Sequence, residues 1–147
     1  MSSFIELVRH PYEEPYNLRL VVKASNGMQQ AELEFYSSAS DLGAFAKALR
    51  EVPGRKCQAL WELGSELPKD RFAFYFRLRA HQIDSSGQCA IEIRLNNNEP
   101  PPNRHVSEFS LRAFPADLDR LADLFDQFGR LEHRRLRWSV TSGEPLK

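Results

Sequence analysis

The sequence has little cysteine and no excess of charge of either sign. Its 147 residues include two cysteines, and 20 Lys and Arg side chains balance 20 Asp and Glu side chains. A neutral chain has no general attraction for polyanions, so the composition disfavours unspecific binding of nucleic acid. Cys57 and Cys89 belong to no CxxC motif, and we expect both to be small buried hydrophobic residues in a reducing compartment.

Long hydrophobic runs are also lacking. No window approaches the roughly 18 uncharged apolar residues that a membrane-spanning helix needs. The first residues, MSSFIELVRHPY, do not combine a basic segment with an apolar core, as a secretory signal would. The sequence therefore predicts a cytoplasmic protein with no membrane partner.

Motifs that carry catalysis are missing as well. The chain has no nucleophile elbow, phosphate-binding loop, dinucleotide fingerprint, HExxH or EF-hand pattern, and its seven glycines are scattered. Four histidines lie far apart with polar neighbours, so we expect each at the surface: His10, His81, His105 and His133. We predict from these absences a protein that is not an enzyme, with no cofactor and no metal site.

Alternating apolar residues indicate strands in the first part of the chain. The segments FIELVRH, NLRLVVKAS and AELEFYS each alternate, and Asn26-Gly27 before the third is a favoured hairpin turn. The spacing then changes to that of a helix with an apolar stripe, which Ser40 or Asp41 caps and Pro53-Gly54 ends. The stripe comprises Leu42, Phe45, Ala46 and Leu49.

The second part of the chain repeats this order. Four strand-like segments, KCQALWEL, RFAFYFRLRA, QCAIEIRLNNN and VSEFSLRAF, precede a helix that begins near Pro115 and ends at Gly129. Its apolar stripe comprises Leu118, Leu121, Ala122, Phe125 and Phe128. A last strand, RRLRWSV, follows, and residues 142–147 are expected to be a frayed tail. We expect Trp61 and Trp138 in the core.

These patterns predict a single α+β domain over residues 1–147. An antiparallel sheet of about seven or eight strands packs against two amphipathic helices, and the chain can be divided into two related β-meander-plus-helix halves. Exposed strands at the sheet edges could pair between subunits, so the fold allows a homodimer.

The hairpin around Ser85-Ser86 predicts which side chains face solvent. Its register pairs Phe76 with Leu95 and Leu78 with Ile93, which places apolar side chains on one face. The opposite face carries Glu92 and four candidate binding residues: Tyr75, Arg77, Arg79 and Arg94. Mixed charges of this kind are typical of a solvated sheet surface.

Two features raise the question of nucleic-acid binding. The stretch DRFAFYFR matches an RNA-recognition octapeptide only in part, because Asp70, Arg71 and Arg77 replace its basic, glycine and aromatic positions. The segment EHRRLRW is basic, but aspartates of the preceding helix can neutralise its arginines. Those arginines are Arg134, Arg135 and Arg137. A nucleic-acid partner is therefore not favoured.

The order of motifs from about residue 30 to residue 128 resembles uncharacterised bacterial domains of unknown function of the small antiparallel-sheet type. The resemblance rests on Asp41, Leu42, Phe45, Leu49, Trp61, Gly87, Arg94, Leu95 and the segment from Pro115 to Phe125. Some such domains are similar to immunity proteins, which implies that this chain binds a protein partner. The leading hypothesis is thus a non-catalytic protein-binding module. The alternatives are a ligand or single-stranded nucleic-acid binder on the exposed sheet face, and an enzyme assembled from distant polar residues.

Overall fold

Two β-meanders, each followed by a helix, make up most of the chain. The computed structural model describes residues 3–140 and 143–146. A 3-10 turn, Pro68–Asp70, lies between the fourth and fifth strands. The helices and strands are β1 (Ser3–Glu13), β2 (Asn17–Asn26), β3 (Gln30–Ser37), α1 (Ala39–Arg50), β4 (Gln58–Gly64), β5 (Tyr75–Gln82), β6 (Cys89–Asn96), β7 (Val106–Ala113), α2 (Pro115–Gly129), β8 (Arg135–Ser139) and β9 (Gly143–Leu146).

The strands of the described residues form two antiparallel sheets. The five-stranded sheet has the order β3-β2-β1-β8-β9, and the four-stranded sheet has the order β4-β5-β6-β7. The α+β class, the antiparallel strands and the two amphipathic helices are confirmed. Alternation gives each sheet one apolar face, and the two sheets hide these faces together with the helices in a shared core.

Aromatic rings hold the two sheets and the two helices together. The ring of Phe35 on β3 stacks on Phe76 of β5, with centroids 4.1 Å apart. Trp61 on β4 lies edge to face with Phe76 at 4.7 Å and also contacts Phe45 of α1 and Phe125 of α2, each at 5.7 Å. One aromatic cluster therefore joins both sheets and both helices.

Both helices bury the predicted stripes. Every apolar residue named for α1 and α2 in the sequence is buried. Helix α1 begins two or three residues earlier than expected, because Ser38 is its N-cap: the Ser38 hydroxyl accepts from the amide of Asp41 at 3.2 Å. The Asp41 carboxylate accepts in return from the Ser38 amide, also at 3.2 Å. This reciprocal capping box fixes the turn from β3 into α1.

A buried arginine ties β1 to the segment after α2. Arg9 is only 6% exposed, and it lies on the same buried face of β1 as apolar side chains. Its guanidinium forms an ion pair with Glu14 and donates to the backbone carbonyls of Leu131 at 3.0 Å and His133 at 3.1 Å. Both carbonyls belong to the segment between α2 and β8, so Arg9 fixes this segment against β1.

Two predictions, for Cys57 and for the C-terminal tail, differ from the structure. Cys89 is buried as expected, but the prediction for Cys57 is wrong, since Cys57 lies exposed in a bend before β4 begins. Residues 143–146 of the predicted frayed tail form β9, which pairs with β8. Residues 142 and 147 lie outside the described residues.

The aspartates of α2 do not neutralise the arginines that follow the helix. Asp123 and Asp126 instead contact Arg50 at the end of α1, at 2.7 and 2.6 Å. Arg137 pairs with Glu6 of the neighbouring strand β1 at 3.4 Å. The sequence could not predict these pairs because they depend on which helix and strand lie alongside.

Neither helix of the described residues combines the length and apolarity needed to cross a bilayer. The two tryptophans are buried, which confirms their predicted place in the core. They differ in one respect: the indole nitrogen of Trp138 donates to the carbonyl of Asp117 at 3.0 Å, whereas the buried indole nitrogen of Trp61 has no partner among the described residues.

This difference predicts unequal costs for the same substitution. We expect Trp138→Phe to lower the free energy of unfolding by about 1 kcal/mol more than Trp61→Phe, because only the first loses a hydrogen bond. Urea denaturation of both variants measures the difference. Equal losses, or a larger loss for Trp61→Phe, would contradict the assigned hydrogen bonding.

Candidate binding site

The four predicted binding residues share the outward face of the four-stranded sheet. The register of β5 and β6 pairs Phe76 with Leu95 and Leu78 with Ile93, as the sequence predicted. These apolar side chains are buried, so the intervening side chains point away from the core. The structure therefore brings Tyr75, Arg77, Arg79 and Arg94 onto one surface.

A row of charges crosses this face. Glu62, Arg77, Arg94 and Glu108 are successive partners on β4, β5, β6 and β7. Arg77 contacts Glu108 at 2.8 Å, and Arg94 contacts the same carboxylate at 3.6 Å. The two adjacent arginines thus repel each other less, because carboxylates flank them on both sides.

The remaining contacts complete the neutralisation of the three arginines. Glu92 binds Arg77 at 2.7 Å and Arg79 at 3.4 Å, and Glu66 binds Arg94 at 2.8 Å. The three guanidinium side chains are between 25% and 34% exposed. Every predicted cation of the face already has a carboxylate partner, so this surface offers little net charge to a ligand.

Tyr75 is the least accessible of the predicted residues. It is 7% exposed, and its hydroxyl donates a hydrogen bond to the carboxylate of Glu62. Burial, with the help of this hydrogen bond, raises the pKa of Tyr75 above its usual value. The phenol therefore stays protonated and its ring is not presented for stacking.

A pocket opens where this face ends. Tyr75 pairs with Asn96, so the loop before β5 and the loop after β6 leave the sheet side by side. Between them lies a cavity of about 360 Å³. Its lining residues are Glu66, Leu67, Pro68, Arg71, Phe72, Asn96, Asn98 and Arg104.

Asparagine side chains join the two loops that form the pocket. The Asn96 amide donates to Glu66 at 2.7 Å. The Asn98 amide donates to the backbone carbonyls of Ser65 at 2.8 Å and Phe72 at 3.0 Å. These hydrogen bonds connect positions far apart in the sequence, so the pocket walls are held in place before any ligand arrives.

Unusual backbone conformations surround the pocket. Gly64 has a φ of 80°, and a Cβ added there would lie 2.1 Å from the carbonyl oxygen of Phe74, so only glycine fits. Arg71 and Asn98 are both left-handed, each with a φ of 53°. Asparagine tolerates this region, but for Arg71 it costs energy that the surrounding contacts must offset.

The pocket presents groups that are not used inside the protein. Neither Arg71 nor Arg104 has a hydrogen bond or ion pair from its guanidinium to another described residue. Phe72 is 51% exposed and Leu67 is 55% exposed. Unpaired cations beside exposed apolar side chains distinguish this pocket from the neutralised sheet face.

Glu66 connects the pocket to the sheet face electrostatically. Its hydrogen bonds with Arg94 lower its pKa, and burial, which acts in the opposite direction, does not cancel this effect. The same interaction raises the pKa of Arg94. Glu66 is therefore ionised at neutral pH, and its charge is balanced by Arg94 rather than available to a ligand.

Sequence reasoning missed the pocket residues. The sequence analysis assigns no role to the loop that contains Asn98 and Arg104, and it considers Arg71 only within a partial match to a motif. The predicted register contained the signal, because two polar loops that flank paired strands must lie at the same end of the sheet. Which side chains meet there depends on loop conformation, which the sequence does not reveal.

The four histidines are dispersed: His10 and His105 are exposed, and His81 and His133 are half-buried. The structure shows, for residues 3–140 and 143–146, no group of three or more His, Cys, Asp or Glu side chains arranged to hold a metal ion.

The pKa of Glu66 predicts a pH effect. A group whose folded pKa is lowered contributes stability above its unfolded pKa, about 4.3 for glutamate, and this contribution is lost as the pH falls through the folded value. At neutral pH we expect Glu66→Gln to lower the free energy of unfolding by about 1 kcal/mol.

The difference from the wild type should shrink on acidification to about pH 3, as measured by urea denaturation. Glu99→Gln is the matched control, because Glu99 is exposed and its carboxylate has no partner among the described residues. A constant deficit for Glu66→Gln at all pH values would contradict the assigned ion pair.

Comparisons with known proteins identify no family. No family model matches the sequence, and no curated protein matches it. Among solved structures, the chain is similar to the plant transcriptional regulator PBF-2, with a TM-score of 0.49 and 10% sequence identity. The similarity covers 88% of this chain and 76% of that chain. At this level the similarity supports no inference about function.

Proposed function

We propose that the protein is a non-catalytic protein-binding module whose contact surface is the pocket between the loop before β5 and the loop after β6. The observation that carries the proposal is the combination of a pre-formed cavity with exposed apolar side chains and unpaired cations. Protein interfaces are enriched in aromatic residues and arginine, and they use pockets to receive anchor side chains from the partner.

Pre-organisation supports a binding role for this pocket. From the loop after β6, Asn98 donates hydrogen bonds to two carbonyls of the loop before β5, and Glu66 is held by Arg94 and Asn96. A partner would not have to order these groups, so little of the interaction free energy would be lost to conformational entropy. The cavity of about 360 Å³ falls within the usual size of a ligand pocket.

Phe72 is the expected anchor. Half of its surface is in contact with solvent, and its backbone carbonyl is fixed by Asn98 at 3.0 Å. Leu67 lies on the other side of the turn Pro68–Asp70 and is similarly exposed. Covering both side chains would remove apolar surface from water, which is the main favourable term in association.

The charge of the neighbouring sheet face favours a protein over a nucleic acid. Polyanion binding requires cations that release counterions, and Arg77, Arg79 and Arg94 are already paired with carboxylates. A ligand or single-stranded nucleic acid on this face would have to break those pairs. Salt-dependent retention of the chain on an oligonucleotide would support the alternative, nucleic-acid binding.

The proposal includes the location, domain organisation and partner class that the sequence predicts. We place the module in the cytoplasm as a single domain without a catalytic role. Its partner class includes toxins, as the resemblance to immunity-like bacterial domains implies. Unpaired edge strands such as β3 also leave room for a homodimer.

The test is reconstitution of a binary complex. A protein that co-purifies with the tagged chain from its native host is identified, produced separately and titrated against the purified chain by calorimetry. We expect Phe72→Ala to weaken binding by about tenfold or more, because it removes a central anchor. Hydrogen exchange should show protection of both pocket loops in the complex.

Phe114→Ala is the matched control, because Phe114 is 59% exposed on a different part of the surface. Its affinity should equal that of the wild type. The proposal is wrong if no purified protein forms a binary complex, or if Phe72→Ala binds as tightly as Phe114→Ala. It is also wrong if the chain is retained on oligonucleotide and that retention weakens steeply with salt.

A further inference from the structure

Two arginines of the pocket point to the chemistry of the partner. We infer that Arg71 and Arg104 recognise a carboxylate side chain of the partner that is adjacent to an apolar residue. This inference rests on the proposed function and adds to it: the bound segment is acidic as well as apolar.

The arginines of the sheet face and the arginines of the pocket differ in their partners. Arg77, Arg79 and Arg94 each contact a carboxylate within the protein. Arg71 and Arg104 are exposed, line the same cavity and have no such partner among the described residues. A guanidinium group has five donors in a planar fork that matches a carboxylate, so two free arginines in one pocket favour an anionic ligand.

The surroundings favour a carboxylate over a phosphate. Glu66 forms part of the pocket wall and is ionised, with its oxygens bonded to Arg94 and Asn96. Asp70, which accepts from the Ser65 hydroxyl at 2.6 Å, lies immediately before Arg71. Because Arg94 balances the charge of Glu66, Asp70 is the carboxylate that repels an anion beside Arg71. It would repel a phosphate monoester, which carries nearly two negative charges at neutral pH, more strongly than a singly charged carboxylate.

The arrangement of side chains favours a carboxylate next to an apolar group. Phe72 follows Arg71 in the chain, and Leu67 precedes the turn that leads to it. Both apolar side chains and both arginines line the one cavity. A ligand that satisfies the cations therefore places its neighbouring atoms against Phe72 or Leu67, so the partner segment should contain Asp or Glu beside a residue such as Leu.

Capped peptides test this chemistry directly. The probe is a tetrapeptide with aspartate and leucine in its central positions, flanked by glycine and blocked at both ends, titrated into isotopically labelled protein. We expect the side-chain amide resonances of Asn96 and Asn98 to shift on binding. Replacing the aspartate of the peptide by asparagine should weaken binding by about tenfold, the loss expected for one charge-assisted interaction.

Matched variants locate the effect. Arg71→Gln with Arg104→Gln should bind the aspartate peptide about tenfold more weakly. Arg55→Gln with Arg135→Gln changes the net charge equally at two exposed arginines outside the pocket and should bind like the wild type. Arg104→Gln alone gives a second test of peptide affinity that removes no internal contact. Arg104 lies in an exposed loop and has no ion pair among the described residues.

Several outcomes would overturn the inference. The inference is wrong if the aspartate and asparagine peptides bind with equal affinity, or if the two double variants lose equal affinity for the aspartate peptide. It is also wrong if the resonances of Asn96 and Asn98 do not shift at millimolar peptide. Tighter binding of a thymidine octanucleotide or a phosphoserine peptide to the pocket would contradict it as well. Failure here is distinguishable from failure of the proposed function. A reconstituted complex that needs Phe72 but tolerates Arg71→Gln with Arg104→Gln would retain the protein-binding role and remove only the acidic partner.

Discussion

The stack of Phe35 on Phe76 determines how the two sheets are joined. The rings are nearly parallel, at 12°, and they bring β3 of one sheet against β5 of the other. Trp61 then contacts both sheets and both helices. Because Phe76 must face this cluster, Tyr75 and Arg77 on either side of it must face away. The location of the outer polar face, and of the pocket at its end, follows from this packing.

The outer face and the pocket contain the same residue types but use them differently. On the face, each arginine is paired with a glutamate of a neighbouring strand or loop, and such partly exposed pairs contribute little individually to stability. They do, however, occupy the charges that a ligand could use. In the pocket, Glu66, Asn96 and Asn98 form hydrogen bonds within the protein, whereas Arg71 and Arg104 have no such partner among the described residues. Internal pairing thus separates a structural surface from a binding surface.

The pocket also shows how local strain and tertiary contacts support each other. A glycine at position 64 lets the chain pass close to Phe74, and Arg71 adopts a left-handed conformation after the turn Pro68–Asp70. Asn98 then holds the carbonyls of Ser65 and Phe72 from the opposite loop. An unusual conformation of this kind persists only where the surroundings over-determine it, and such sites are often used for binding.

The sequence by itself determined the α+β class, the two helical stripes, the burial of both tryptophans and the register of β5 with β6. These properties depend on periodicity and turn position, which are local. The tertiary structure alone decided the division of the strands into two sheets, the exposure of Cys57 and the pairing of Arg137 with Glu6. It also decided which residues form the pocket, where Asn98 bonds to Ser65, 33 positions away in the chain. Contacts of this range depend on how loops fold over a finished sheet, and no periodicity in the sequence encodes them.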